Sequence, residues 1–166
     1  MRIARLDLLA FGPFTDLCLE LDQGDYGLHL IYGPNEAGKS SALRALRQFF
    51  YGIETRTTDQ FLHSYDSLRI GAVLRDEQGG QWHFIRRKGN KGTLRSADER
   101  EVIDPAVLSD LLGGVEEQDF RRRFGIDRQE LVRGGQEIVR GEGNLGGILF
   151  AAGSGLPGLN SIQARL

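Results

Sequence analysis

Apolar and polar positions alternate from the start of the chain. Ala4, Leu6 and Leu8 interleave with Arg5 and Asp7, and Leu17, Leu19 and Leu21 interleave with Cys18, Glu20 and Asp22. A period of two puts every second side chain on one face, so each run predicts a half-buried strand, and Gly12-Pro13 between them predicts the turn of an antiparallel pair. Cys18, inside the second run, reads as a small buried residue. The short, mostly apolar run Leu28-His29-Leu30-Ile31-Tyr32 predicts a buried strand ending at Tyr32. The period then changes to that of a helix. Leu43, Leu46 and Phe50 form one stripe and Ala42, Ala45 and Phe49 a second beside it, with Arg44, Arg47 and Gln48 outward, so a helix from about Lys39 to Tyr51 is expected, closed by Gly52.

Residues 53 to 68 are polar and irregular. Ile70, Ala72 and Leu74 then alternate with Arg69 and Arg75, Gly79-Gly80 supplies a turn, and Gln81 to Lys88 alternates again, which predicts a hairpin. Trp82 and Phe84 belong to its core side, and Thr93 to Ser96 adds a third strand. From Asp104 the pattern is helical: Asp104 caps, Pro105 opens the first turn, Val107, Leu108, Leu111 and Leu112 form the apolar face, and Gly113-Gly114 ends it. Glu116 to Phe124 predicts a short helix and Leu145 to Ala152 an apolar one. Pro157 to Leu166 opens a helix that nothing caps, as in a chain that continues or in a frayed terminal helix.

At 166 residues, 40% hydrophobic and 27% charged, the chain is one globular domain or a large part of one rather than a disordered or fibrous protein. A net charge of -2 gives no global reason to expect nucleic acid. A single cysteine allows no internal disulfide, which fits a reducing cytosol. Arg2, Arg5 and Asp7 interrupt the first apolar run and no run approaches a bilayer's thickness, so a cytoplasmic location without a membrane is expected. His29, His63 and His83 have no metal-ligand spacing with one another or with Cys18, and no zinc is expected.

The most specific stretch is Gly33-Pro34-Asn35-Glu36-Ala37-Gly38-Lys39-Ser40-Ser41, placed between the expected strand and the expected helix. It matches the phosphate-binding loop G-x-x-x-x-G-K-S/T. Glycines let the backbone curl so that N–H groups from about Glu36 to Ser40 converge on phosphate oxygens, and the helix adds its positive end. Lys39 would reach the β- and γ-phosphates of ATP, and Ser40 would coordinate Mg²⁺.

Three other stretches imitate motifs. Ala72 to Glu77 resembles the metal-binding Asp-Glu strand of ATPases, but Arg75 breaks the run and a hairpin turn follows. Leu131 to Gln136 is similar to the signature loop of ABC-type ATPases, with Arg133 in place of its Ser. Gly141 to Gly146 spells GxGxxG without a strand before it. Two basic clusters, Arg86-Arg87-Lys88 and Arg121-Arg122-Arg123, are candidates for phosphate backbones, although solvated faces are the commoner reason for such runs.

The turn Phe11-Gly12-Pro13-Phe14 between two strands, followed by LHLIYGPNEAGKSSALRALRQFFYG, resembles the first segment of SMC-like, SbcC-type ATPases. FRRRFGIDRQEL and LGGILFAAGSGLPGL resemble most closely the bacterial YhaN-like branch. The resemblance implies an α/β P-loop NTPase fold: the N-terminal lobe of an ABC/SMC-type head over residues 1–155, with antiparallel hairpins and a helical C-terminal portion. Residues 156–166 would begin a coiled coil. It further implies that a C-terminal lobe and a second head complete the ATPase, that DNA is the partner in repair or processing, and that a metal-dependent nuclease can accompany it. The Mg²⁺- and water-coordinating Gln of such heads falls near Gln129 or Asp127.

Two alternatives are a self-contained small kinase or GTPase and a non-catalytic nucleotide- or nucleic-acid-binding module. The first needs an Asp strand, and a GTPase also needs Asn-Lys-x-Asp, which Asn90-Lys91-Gly92-Thr93 fails at its last position.

Overall fold

The computed structural model describes residues 1–23, 28–76, 78–125, 131–132, 134–136 and 139, and for Arg122 the backbone alone. Contacts divide the chain into two units, Met1–Phe120 and Arg121–Leu166. In the second unit residues 131–132, 134–136 and 139 are helical, and Leu131, Val132 and Val139 are exposed. The expected helix at 145–152, the boundary at 155 and the helix opening at 157 lie outside the described residues.

The first unit is built on one antiparallel sheet. Its strands are β1 Arg2–Phe11, β2 Phe14–Glu20, β3 Arg69–Arg75, β4 Gln81–Arg87 and β5 Leu94–Ser96, ordered β2-β1-β3-β4-β5. The alternation expected from the sequence sets the register: Leu6 stands opposite Leu19 and Ala72, and Ala72 opposite Phe84, on the covered face. Asp7, Cys18, Gly71 and His83 belong to the other face. Helix α1, Lys39–Tyr51, lies over β1 and β3. Its Ala42, Ala45, Phe49 and Phe50 join Leu6, Leu8, Ile70, Leu74 and Phe84 in one core, where a side chain of Leu or Phe size contributes about 1.5–3 kcal/mol by leaving water. Two short helices follow, α2 Ala106–Leu111 and α3 Glu117–Arg123. The Asp104 carboxylate accepts from the Ala106 N–H at 2.9 Å, and Gly113 and Gly114, both at positive φ, end α2. Phe120 packs its ring 5.8 Å from Phe50 and 5.6 Å from Tyr51, while the Tyr51 hydroxyl donates to the Val115 carbonyl.

Three expectations fail. Residues 28–32 form no strand, and Leu28, Leu30 and Tyr32 are 86%, 84% and 87% exposed. A central strand needs hydrogen-bonded neighbours, and β1, β3 and β4 already have both of theirs within the five-stranded sheet. Gln48 does not face outward. It is buried at 2% exposure, because its amide oxygen turns to the Glu54 N–H just past the helix end. Cys18 is exposed, since β2 is an edge strand and Cys18 points away from the core opposite Asp7.

Candidate functional site

The phosphate-loop residues form a tight curl between the irregular segment at 28–32 and α1. Glu36 has φ 67° and Gly38 φ 87°, left-handed values that turn successive N–H groups toward a common concavity. Glycine holds such a φ without cost, whereas Glu36 holds it at about 1 kcal/mol. Gly38 is also a close approach: a Cβ there would lie 2.5 Å from Cζ of Phe14 and 2.7 Å from Cγ of Pro13. The turn between β1 and β2 therefore backs directly onto the loop.

Helix α1 begins without a cap. Gly38 at the N-cap offers no side chain, no side-chain hydrogen bond replaces it, and no acidic residue stands in the first turn. The first N–H groups of a helix have no partner inside it and carry its positive end. Here they stay open beside exposed Lys39 and Ser40. The Lys39 ammonium donates to the carbonyls of Gly33 at 2.7 Å and Pro34 at 2.6 Å, so the loop's one cation is held over its own curl. Exposed hydroxyl, exposed ammonium and uncapped N–H groups are a donor set suited to a polyphosphate with a hard cation.

Ser41 points the other way. It is 7% exposed, and its hydroxyl accepts from Arg44 Nη2 at 2.9 Å. Arg44 also grips Asp59 through two bonds of 2.7 Å, Nε to Oδ2 and Nη2 to Oδ1. The Asp59 carbonyl accepts from the Gly12 N–H at 2.8 Å. His63 donates to the Phe14 carbonyl at 2.7 Å and lies 3.2 Å from the Thr15 hydroxyl. The segment after α1 thus laces the β1–β2 turn to the start of the helix. The sequence marks none of this pairing, because residues 53 to 68 carry no periodicity; the glycine of Phe11-Gly12-Pro13-Phe14 is its one visible trace.

The first basic cluster is divided by the pleat of β4. Arg86 faces the core and is 2% exposed. Its guanidinium donates to the carbonyls of Phe49 at 2.9 Å and Phe50 at 3.0 Å and to the Thr93 hydroxyl at 3.1 Å. Burial pulls its pKa down to about 10. Lys88 is 9% exposed, with its ammonium 4.7 Å from the centre of the Tyr65 ring. Both are committed to the fold rather than open to a phosphate backbone. Arg87 lies half-buried on the opposite face. Arg121 and Arg123 stand at the end of α3, and the Arg122 side chain lies outside the described residues.

The Asp76 carboxylate accepts from the N–H groups of Gln78 and Gly80 and so shapes the β3–β4 turn. Gln129 and Asp127 lie outside the described residues. Among the described residues no group of three His, Cys, Asp or Glu side chains could hold a metal ion, and no helix is long and apolar enough to cross a membrane.

A family model described as AAA domain matches the chain over residues 1–166. No curated protein matches it.

Proposed function

The chain belongs to the AAA domain family, an AAA-type ATPase family of the SMC/SbcC-like group, and on that footing we propose that it is the ATP-binding N-terminal lobe of an SMC-like ATPase that processes or repairs DNA. The observation that carries this reading is the uncapped start of α1 behind a left-handed curl, with Lys39 and Ser40 exposed at its mouth.

ATP would lay its phosphates across the N–H groups from Glu36 to Ser40, with Pro34, Asn35 and Ala37 shaping the curl. The Lys39 ammonium would exchange hydrogen bonds to the neutral carbonyls of Gly33 and Pro34 for ion pairs with the β- and γ-phosphates. Ser40 would hold Mg²⁺, which when bound neutralises phosphate charge and fixes the γ-phosphate. Ser41 contributes its N–H alone, its hydroxyl being turned inward.

Hydrolysis would take groups from elsewhere. Asp76 is engaged in a turn, and the exposed apolar run at 28–32 supports a sheet completed by strands from a C-terminal lobe. In this reading two heads close on ATP, a coiled coil leaves near residue 156, and Gln129 or Asp127 adds a ligand to the metal. The partners would be DNA and a metal-dependent nuclease in the cytoplasm, and FRRRFGIDRQEL favours the YhaN-like branch.

Calorimetric titration of the 166-residue chain with Mg-ATP and Mg-GTP tests the reading. ATP-selective binding that Lys39→Ala abolishes, with negligible turnover, is expected. Rapid turnover by the chain alone would favour a self-contained enzyme, and absence of binding by folded wild type would overturn the site.

A further inference from the structure

We infer that Arg44 and Asp59 are positioning residues that set the metal-binding turn of α1. This rests on the reading of Ser40 as the Mg²⁺ ligand. Consecutive helical residues are rotated by about 100°, so the direction of Ser40 follows from what fixes Ser41. Ser41 is fixed from two sides, one of them braced from behind. Arg44 Nη2 donates to its hydroxyl. Asp59, its side chain only 1% exposed, holds Arg44 by both carboxylate oxygens. Gly12, whose own N–H is bonded to the Asp59 carbonyl, leaves so little room that a Cβ on it would lie 3.1 Å from Ser41 Cβ and 3.2 Å from Asp59 Oδ1. A buried carboxylate, a two-point guanidinium and a glycine contact thus clamp one side of the first helical turn and leave Ser40 and Lys39 exposed on the other.

The pair touches neither phosphate nor metal in this arrangement; it acts through Ser41 on the rotation of Ser40. Groups that orient a metal ligand from behind it are worth about 10–100-fold in metal affinity when removed. The arrangement also explains a buried carboxylate in an otherwise irregular segment. Burying Asp59 costs desolvation, yet it and Arg44 sit against the one helical turn whose angle decides where a hydroxyl points.

The test is the Mg²⁺-dependent increment in ATP affinity, the ratio of dissociation constants in EDTA and in excess Mg²⁺, for wild type, Asp59→Asn, Arg44→Gln and Arg47→Gln. Arg47, two turns along the helix and paired with Glu54 and Glu117, reports on helix stability alone. Asp59→Asn and Arg44→Gln are expected to cut the increment about tenfold, with metal-free affinity within twofold of wild type, and Arg47→Gln to leave it unchanged. Should Asp59→Asn fail to fold, Arg44→Gln, at a side chain 36% exposed, decides. An unchanged increment in both, or equal losses with and without Mg²⁺, overturns the positioning role. A wild type whose ATP affinity ignores Mg²⁺ overturns the reading of Ser40, and this role with it.

Discussion

Replacing Arg86 with Met isolates a balance between two large opposing effects. Met keeps the stem of the side chain and removes its five donors. Phe49 and Phe50 lie in the last turn of α1, whose carbonyls the helix leaves without N–H partners, and Arg86 supplies both. Stranding two buried carbonyls costs about 1–3 kcal/mol each, and losing a cation at a helix C-terminus about 1 kcal/mol more. Against this stands the burial that draws the Arg86 pKa down from its ordinary value to about 10, a penalty of about 3 kcal/mol that Met removes. The sum is a loss of about 2 kcal/mol, which for a domain of this size lowers Tm by roughly 4–8 °C. Thermal and urea unfolding followed by circular dichroism measure it, with an unchanged m-value as the sign that the fold is retained. A Tm equal to or above wild type would refute the reasoning and show that desolvation outweighs the three hydrogen bonds.

Two further outcomes follow from the same geometry. Gly38→Ala places a methyl 2.5 Å from the Phe14 ring at φ 87°, so Tm falls and Mg-ATP binding is lost. Adding Phe14→Ala recovers part of the stability but not the binding, since the left-handed strain of about 1–2 kcal/mol stays; full recovery of binding would show that the φ is not required. Cys18, its pKa pushed from 9.0 up to about 11 by desolvation first and then by the neighbouring carboxylates of Glu20, to which it donates, and Asp7, should react with iodoacetamide at pH 8 about a hundredfold more slowly in the folded than in the urea-unfolded chain. The folded chain keeps that proton from pH 9.0 to about 11, where the unfolded chain releases it, so this thiol works against stability as pH rises through that window. Equal rates would mean an unperturbed thiolate.

What could be read from the chain beforehand divides along physical lines. The hairpins and α1 were legible because local spacing decides them: period two around Gly12-Pro13 and Gly79-Gly80, then period 3.6 from Lys39. The start of α1 at Lys39 behind Gly38 was legible because the glycine-lysine-serine spelling marks a loop that opens a helix. The 28–32 run misled because apolarity measures the wish to be buried and says nothing of whether neighbouring strands exist. Arg86 was misjudged although its parity with Phe84, two residues earlier, already put it on the core side; charge was allowed to outweigh alternation. Gln48 and Cys18 were misplaced for the converse reason, residue type standing in for surroundings set by a helix end and a sheet edge. The Arg44–Asp59 clamp joins residues 15 apart across an irregular segment, and no periodicity encodes such a pair.

The sheet order carries a consequence for how the molecule comes together. β1–β2 and β3–β4–β5 are each closed by short turns and can assemble early and separately, since local pairings demand little loop-closure entropy. The glycine-rich loop and α1 lie between them in the chain, and the pairing that unites the two halves runs from Arg2–Arg75 to Ala10–Arg69. The proposed nucleotide site therefore rests on this long-range pairing as well as on the local turns. A nucleotide held there would act on the joint between two half-sheets, so that protease resistance around residues 33 to 40, rather than global melting alone, becomes the natural gauge of occupancy.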